Sequence, residues 1–257
     1  MTRSLLAPDE PSPVRILHPD GASDFLFAAD HAGRLIPSAL GTLGLDEAER
    51  RRHIAWDIGI AAVTEALAVS LDATAVLQAY SRLVIDCNRA PGHPTSIPAV
   101  SELTAIPGNA ALTDEERTMR RRAIFDPYHA ALVELIDRRV VAGRRTVLVA
   151  MHSFTPVFKG VARAVEIGVL YHHETRLSRL MLELLRAEGD LVVGANEPYA
   201  ITDDSDYTAP VHGEARGLEH LEIEIRQDLI ADPAGQSAWA RRMARLLRET
   251  DERLDAL

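Results

Sequence analysis

Thr146 to Pro156, TVLVAMHSFTP, constrains the fold more than any other stretch of the chain. Val147, Leu148 and Val149 are apolar without alternation, as in a strand covered on both faces. The run ends at His152-Ser153, with Thr155-Pro156 just beyond. An open α/β sheet presents its chemistry at the carboxyl ends of such strands. Alone, the stretch reads as a strand and a polar turn. Other strand ends that deliver matching groups give it a functional reading.

The first of these precedes it. Met1–Pro13 is rich in proline and charge and is expected to be loose or superficial, and Val14–Leu17 reads as a short strand. Asp24–Ala29 reads as a buried strand that opens into Asp30-His31-Ala32-Gly33-Arg34, where the glycine permits a tight exit. His31 is then either a second strand-end site histidine or a turn histidine bonded to backbone. After a short polar helix over Leu43–His53, Ala55-Trp56-Asp57 opens a helix running to about Leu71, with Ile60, Val63, Leu67 and Leu71 as its apolar stripe. Asp57 can be its N-cap or a carboxylate metal ligand. Thr74–Ala79 reads as a strand, and Arg82–Ile85 as another that leads into Asp86-Cys87-Asn88-Arg89. An Asn-Arg pair there can fork onto a carboxylate. Cys87, in an apolar context with no adjacent base, reads as a small buried thiol.

The proline-rich loop from Ala90 to Asn109 is long enough to act as a lid or substrate loop. A capping box at Thr113–Glu116 starts a long helix that Pro127 can kink and Gly143 ends. Ala164–Leu170 reads as a strand ending in Tyr171-His172-His173; adjacent residues diverge, so the two histidines are expected to be polar exit residues. A helix over Thr175–Ala187 leads to a strand at Leu191–Gly194. The loop Asn196–Gly217, with DDSDY and His212, is polar and long enough to cover a site. Leu218–Arg226 then alternates strictly: Leu221, Ile223 and Ile225 face one way, Glu222, Glu224 and Arg226 the other. That is either an edge strand with a solvated face or a strand carrying acids into a site. Pro233–Leu257 reads as an amphipathic helix. No repeat or composition break divides residues 14–257, which are expected to form one domain.

A formal net charge of −10 opposes nucleic-acid and anionic-membrane surfaces, while a local arginine pocket can still receive an anionic small molecule. One cysteine excludes an internal disulfide framework and fits a reducing compartment. No signal peptide and no apolar run near the roughly 20 residues of a membrane helix is seen, so a cytoplasmic protein is expected. The oligomeric state is not legible.

Two histidines and one carboxylate from three separate elements are a set that leaves zinc an open position. A free glutamate nearby can move the proton, and Arg82, Arg89 or Arg226 can bind a substrate carboxylate. The chain resembles the N-formylglutamate amidohydrolases in DHAG at Asp30–Gly33, AWDIG at Ala55–Gly59, SRLVIDCNR at Ser81–Arg89, MHSFTP at Met151–Pro156 and EIRQDLI at Glu224–Ile230. That family is similar to zinc carboxypeptidases and N-acetylmuramoyl amidases. The resemblance implies a single-domain, phosphorylase/hydrolase-like α/β/α sandwich with a mostly parallel or mixed sheet. It implies zinc, or another divalent metal, on His31, Asp57 and His152, with Glu224 as base. It also implies Asn88-Arg89 as the grip on a substrate carboxylate, with Arg82, Ser153, Arg226 and His212 as further substrate-binding candidates. One departure is Asp57, where carboxypeptidases carry a glutamate close to their first histidine. The implied reaction is hydrolysis of the linear amide of an N-acyl amino acid, N-formyl-L-glutamate first. A related amidase or peptidase and a non-catalytic binder of an acidic metabolite are the alternatives.

Overall fold

The computed structural model describes residues 4–173, 175–202 and 206–255. In chain order, β1 (Val14–Leu17) and β2 (Phe25–Ala29) are followed by the single turn α1 (Glu47–Arg50), α2 (Ile60–Leu71) and β3 (Thr74–Gln78). A small hairpin, β4–β5 (Val100–Ser101 and Thr104–Ala105), precedes α3 (Asp114–Arg120) and α4 (Asp126–Val141). Next come β6 (Val147–Phe154), a second hairpin β7–β8 (Val157–Phe158 and Val161–Ala162), β9 (Ile167–Leu170) and α5 (Arg176–Glu188). The chain closes with β10 (Val193–Ala195), β11 (Glu219–Arg226) and α6 (Pro233–Asp255).

Seven strands make one mixed sheet in the order β1-β3-β2-β6-β11-β9-β10. The four consecutive strands β3, β2, β6 and β11 are parallel, so their carboxyl ends share one edge. β1 is antiparallel to β3, and β9 is antiparallel to β11. Helices cover both faces, giving a three-layer α/β/α domain. Phe27, Val149, Met151, Leu221, Ile223 and Ile225 point into one apolar layer with α2, α5 and α6. Each of these side chains contributes roughly 1.5–3 kcal/mol on burial. Leu26, Ala28, Val76 and Leu148 point the other way, against Tyr128, Leu132 and Ile136 of α4. On β11 that second face carries His220, Glu222 and Glu224, all buried. The alternation of β11 is therefore not that of an edge strand: it lies between β6 and β9, and its polar face is turned inward.

Some local readings change. Arg82–Ile85 is a series of turns rather than a strand. Its backbone is satisfied by side chains: the Ser81 hydroxyl accepts from Leu83 N–H, while Asn109 donates to Leu83 O and the buried Arg120 donates to Val84 O. Around Pro127 the long helix is not a single regular α-helix: a π-helical turn over Arg121–Phe125 separates α3 from α4, and Pro127 sits in the first turn of α4. His172 and His173 follow β9, whose antiparallel course puts them at the sheet edge opposite the carboxyl ends of β2, β6 and β11. At the N-terminus, Leu5 is buried and Pro11 O accepts from the Tyr80 hydroxyl. No helix among the described residues is long and apolar enough to cross a membrane.

Candidate metal centre and active-site cavity

Parallel strands bring the candidate residues together. β2 passes through Asp30 to His31, β6 ends with His152 and Ser153 in place, and Glu224 on β11 is the register partner of His152. The exit after His31 needs Gly33, because a Cβ there would lie 2.0 Å from Ala79 O. Asp57 arrives in the loop before α2, its N–H bonded to His31 O at 2.9 Å. It is not the helix cap: that position is Gly59, at φ 84°, where a Cβ would meet Ile230 O at 2.1 Å. The Asp57 carboxylate instead accepts from Ser153 N–H at 3.1 Å.

The histidine tautomers follow from their outer partners. His31 Nε2 lies 2.7 Å from Asp86 Oδ1, and His152 Nε2 lies 3.3 Å from Asp30 Oδ2 and 3.8 Å from Glu222 Oε2. His31 Nε2 carries its proton toward Asp86; His152 Nε2 faces Asp30 and Glu222 without a hydrogen bond to either, and with its proton on that side both Nδ1 lone pairs are free. Those lone pairs face each other at 3.2 Å, with Asp57 Oδ2 at 3.0 Å from His152 Nδ1 and 3.5 Å from His31 Nδ1. Three lone pairs converging in a buried site repel one another unless a cation or added protons lie between them. Three ligands at 2.0–2.1 Å in a tetrahedral zinc site would sit about 3.3 Å apart, close to the observed triangle. Carboxylates behind the imidazoles are also what orients metal-bound histidines. The donor set fits a divalent metal.

The surrounding charges agree. Burial opposes a charge on His152, but Glu222, Asp30 and Asp57 overcome it and raise its affinity for a proton well above the ordinary value. For His31, burial and Arg82 are outweighed by Asp86 and Asp57, again with a net rise. Asp57 stays ionised despite burial because the two histidines hold it low. Glu222 and Glu224 go the other way: burial and neighbouring carboxylates raise both, against the pull of His152. Their Oε2 atoms have no hydrogen-bond partner among the described residues.

The cluster lies at the floor of a cavity of about 440 Å³. The loop carrying Thr95, Pro98 and the β4–β5 hairpin forms one wall, and Tyr199, Ala200 and Asp206 form another. Of the DDSDY segment in that second loop, residues 203–205 lie outside the described residues. Arg82 joins Asp86 at 2.7 Å and Asp57 at 3.5 Å, bracing both. Asn88 Nδ2 and Arg89 NH1 reach Asp206 Oδ1 at 3.0 and 3.1 Å. The Ser153 hydroxyl faces the cavity region but donates to Ile58 O.

Two expected substrate-binding residues are not brought here. Arg226 is turned to Asp228, Glu166 and the carbonyls of residues 163–165. His212 is buried against His129, 2.9 Å away, outside the cavity lining. Cys87 is buried beside Gln78, and burial pushes its thiol well up. His172 and His173 do not diverge as expected. A bend aims both Nδ1 atoms at Glu214, one at each oxygen. There each imidazole can donate a proton to the carboxylate, so nothing forces a cation between them. Asp30, Asp86 and Asp206 escape the sequence reading. The first two adjoin quoted residues in DHAG and DCNR, but their bonding to the imidazoles is a tertiary fact.

A family model described as N-formylglutamate amidohydrolase matches residues 23–231. The crystal structure of a gene product from Agrobacterium tumefaciens is similar at 39% identity and a TM-score of 0.94, over 98% of this chain and 99% of that one. The structure of an N-formylglutamate amidohydrolase from Ralstonia eutropha JMP134 is similar at 21% identity and a TM-score of 0.69, over 96% and 100% of the two chains; at that identity the likeness is one of fold. A search of curated proteins finds no match.

Proposed function

Because the chain belongs to the N-formylglutamate amidohydrolase family, a family of hydrolases, we propose that it cleaves the linear amide of an N-acyl amino acid. N-formyl-L-glutamate, giving formate and glutamate, is the first substrate to assay. The observation that carries this reading is the convergence of His31 Nδ1, His152 Nδ1 and Asp57 Oδ2, which would hold zinc or another divalent cation. Such an ion, when bound, supplies Lewis acidity to the amide carbonyl and to the attacking water.

The chain's own residues do the rest. Asp86 holds the Nε2 proton of His31, and Asp30 faces Nε2 of His152, which turns both Nδ1 donor atoms to the centre. Glu224, buried and directly beside His152, takes the proton from water as it attacks the acyl carbon. It then returns that proton to the departing nitrogen as the C–N bond breaks. A carboxyl raised by burial is suited to both halves of that transfer, since its ionised form is a stronger base. Asn88 and Arg89 bind the substrate carboxylate. Arg82 steadies Asp57 and Asp86.

Metal content of the purified protein, followed by formate release from N-formyl amino acids, tests the reading. About one divalent metal per chain and metal-dependent formate release are expected. A protein that binds no divalent metal, or that hydrolyses formyl substrates equally well after chelation, overturns it. A metal-loaded protein that binds an acidic metabolite without turnover would mark the non-catalytic alternative.

A further inference from the structure

Most carboxylates that line the cavity have a cation set against them. Arg82 pairs with Asp86 and Asp57, Arg89 with Asp206 and Arg52 with Glu102, while Glu222 faces His152. Arg163 is a cation of the opposite kind: among the described residues no carboxylate forms an ion pair with it. It follows β8, its N–H bonded to Pro156 O at 2.8 Å and its carbonyl accepting from Arg226 at 3.2 Å, so its backbone is fixed. The guanidinium carbon lies 4.6 Å from the ring centres of Phe158 and Tyr199 and 5.7 Å from that of Phe154. All three rings belong to the cavity lining. Nη1 donates to the Tyr199 hydroxyl at 2.7 Å.

Aromatic faces orient a guanidinium and shield it from water, but they leave its charge unneutralised. A carboxylate is the group that completes such a site, because it takes two guanidinium donors at once. The Tyr199 hydroxyl accepts from Arg163 and keeps its own proton to donate. Burial and then Glu224 raise this phenol, against Arg163 and Arg82, so it stays protonated and a donor. The same charges show that Tyr199 stands near the floor of the cavity, where the acyl group would be cut. Asn88-Arg89 takes one substrate carboxylate in the proposed reaction, and an N-acyl dicarboxylate carries a second. Deepening that reading and resting on it, we infer that Arg163, with the Tyr199 hydroxyl, is the subsite for the second carboxylate and selects N-acyl dicarboxylates over their neutral isosteres.

N-formyl-L-glutamate and N-formyl-L-glutamine are nearly isosteric and differ by one charge, so the ratio between them reads this subsite. Values of kcat/KM are measured for both on the metal-loaded parent, Arg163→Gln and Tyr199→Phe proteins, and binding by calorimetry with Glu224→Gln added to each. The parent should favour the glutamate compound by about tenfold or more, the scale of one charge-assisted pair. Arg163→Gln should bring the ratio close to one. Tyr199→Phe, which keeps the ring against the guanidinium, should lower it several-fold. A parent that does not favour the glutamate compound, binding of neither compound, or an Arg163→Gln protein in which both compounds weaken alike overturns the inference. The expected binding ratios in a protein whose parent hydrolyses neither compound would instead overturn the proposed reaction and leave the subsite standing.

Discussion

His152 and Glu224 are register partners across the parallel pair β6–β11, side by side on the face that looks into the cavity. Glu222 pairs with Ala150, one step further from the carboxyl edge, and its Oε2 lies 3.8 Å from His152 Nε2. The two glutamates thus meet the same histidine from different sides. Glu222 faces the nitrogen that Asp30 also faces. The Nδ1 of that histidine belongs to the group formed with Asp57 and His31.

That geometry separates their roles. Glu224→Gln keeps shape and should leave metal content unchanged while lowering kcat by about a hundredfold or more, the scale of a lost general base. Glu222→Gln should cost much less in kcat. Because burial raises Glu224, kcat/KM for the parent should fall as pH drops and the base becomes protonated. Steady-state rates at matched metal content check both points, and the reverse ranking of the variants would exclude Glu224 as the base.

The second prediction concerns the acid behind His31. Asp86 fixes the His31 tautomer through a 2.7 Å contact and is itself braced by Arg82. Asp86→Asn can still accept from Nε2 but loses the charge that makes the imidazole a better donor. Metal affinity should fall by about 10–100-fold, the usual effect of losing such a partner. His152→Ala removes a donor atom outright and should abolish binding. Competition against a chelator of known affinity measures both. Wild-type affinity in Asp86→Asn would mean that Arg82 and Asn88, not His31, are what Asp86 serves.

What could be read in the chain follows from which features are local. A strand covered on both faces is written in consecutive apolar residues, so Val147–Val149 and Phe25–Ala29 were legible, and the polar residues at their ends with them. The two faces of β11 were legible from Leu221, Ile223 and Ile225 against Glu222 and Glu224; that the acid face turns inward was not, since it depends on β9 closing the other side. Arg82–Ile85 looks like a strand because Leu83, Val84 and Ile85 are apolar and buried, yet the carbonyls of Leu83 and Val84 are bound by Asn109 and Arg120, more than twenty residues away along the chain. Arg89 and Asp206 are separated by 117 positions, and no local pattern announces their pairing. Arg226 and His212 were plausible as a cation and a loop histidine; only the fold shows that their partners lie elsewhere.

His212 nonetheless has a measurable consequence. His129 Nε2 lies 2.8 Å from Cys87 O and must donate to it, so its Nδ1 accepts from His212 Nε2–H. His212 Nδ1 is then a buried lone pair with no partner among the described residues. A proton there would be desolvated and would face His129, and burial first, then His129, lowers His212 to about 4 from the ordinary 6.5. The unfolded chain takes up this proton below pH 6.5 while the folded chain refuses it until about pH 4. Stability from this site is therefore complete above pH 6.5 and is lost as pH falls through that window, by on the order of 3 kcal/mol. His212→Gln keeps an N–H donor for His129 but cannot titrate. Thermal unfolding of the parent and the variant between pH 7 and pH 4.5 measures the difference. The parent should lose stability more steeply, with the gap opening below pH 6.5. Parallel curves would show that acid lability arises elsewhere, and that the proton shared by the His129–His212 pair does not sit on His212 Nε2.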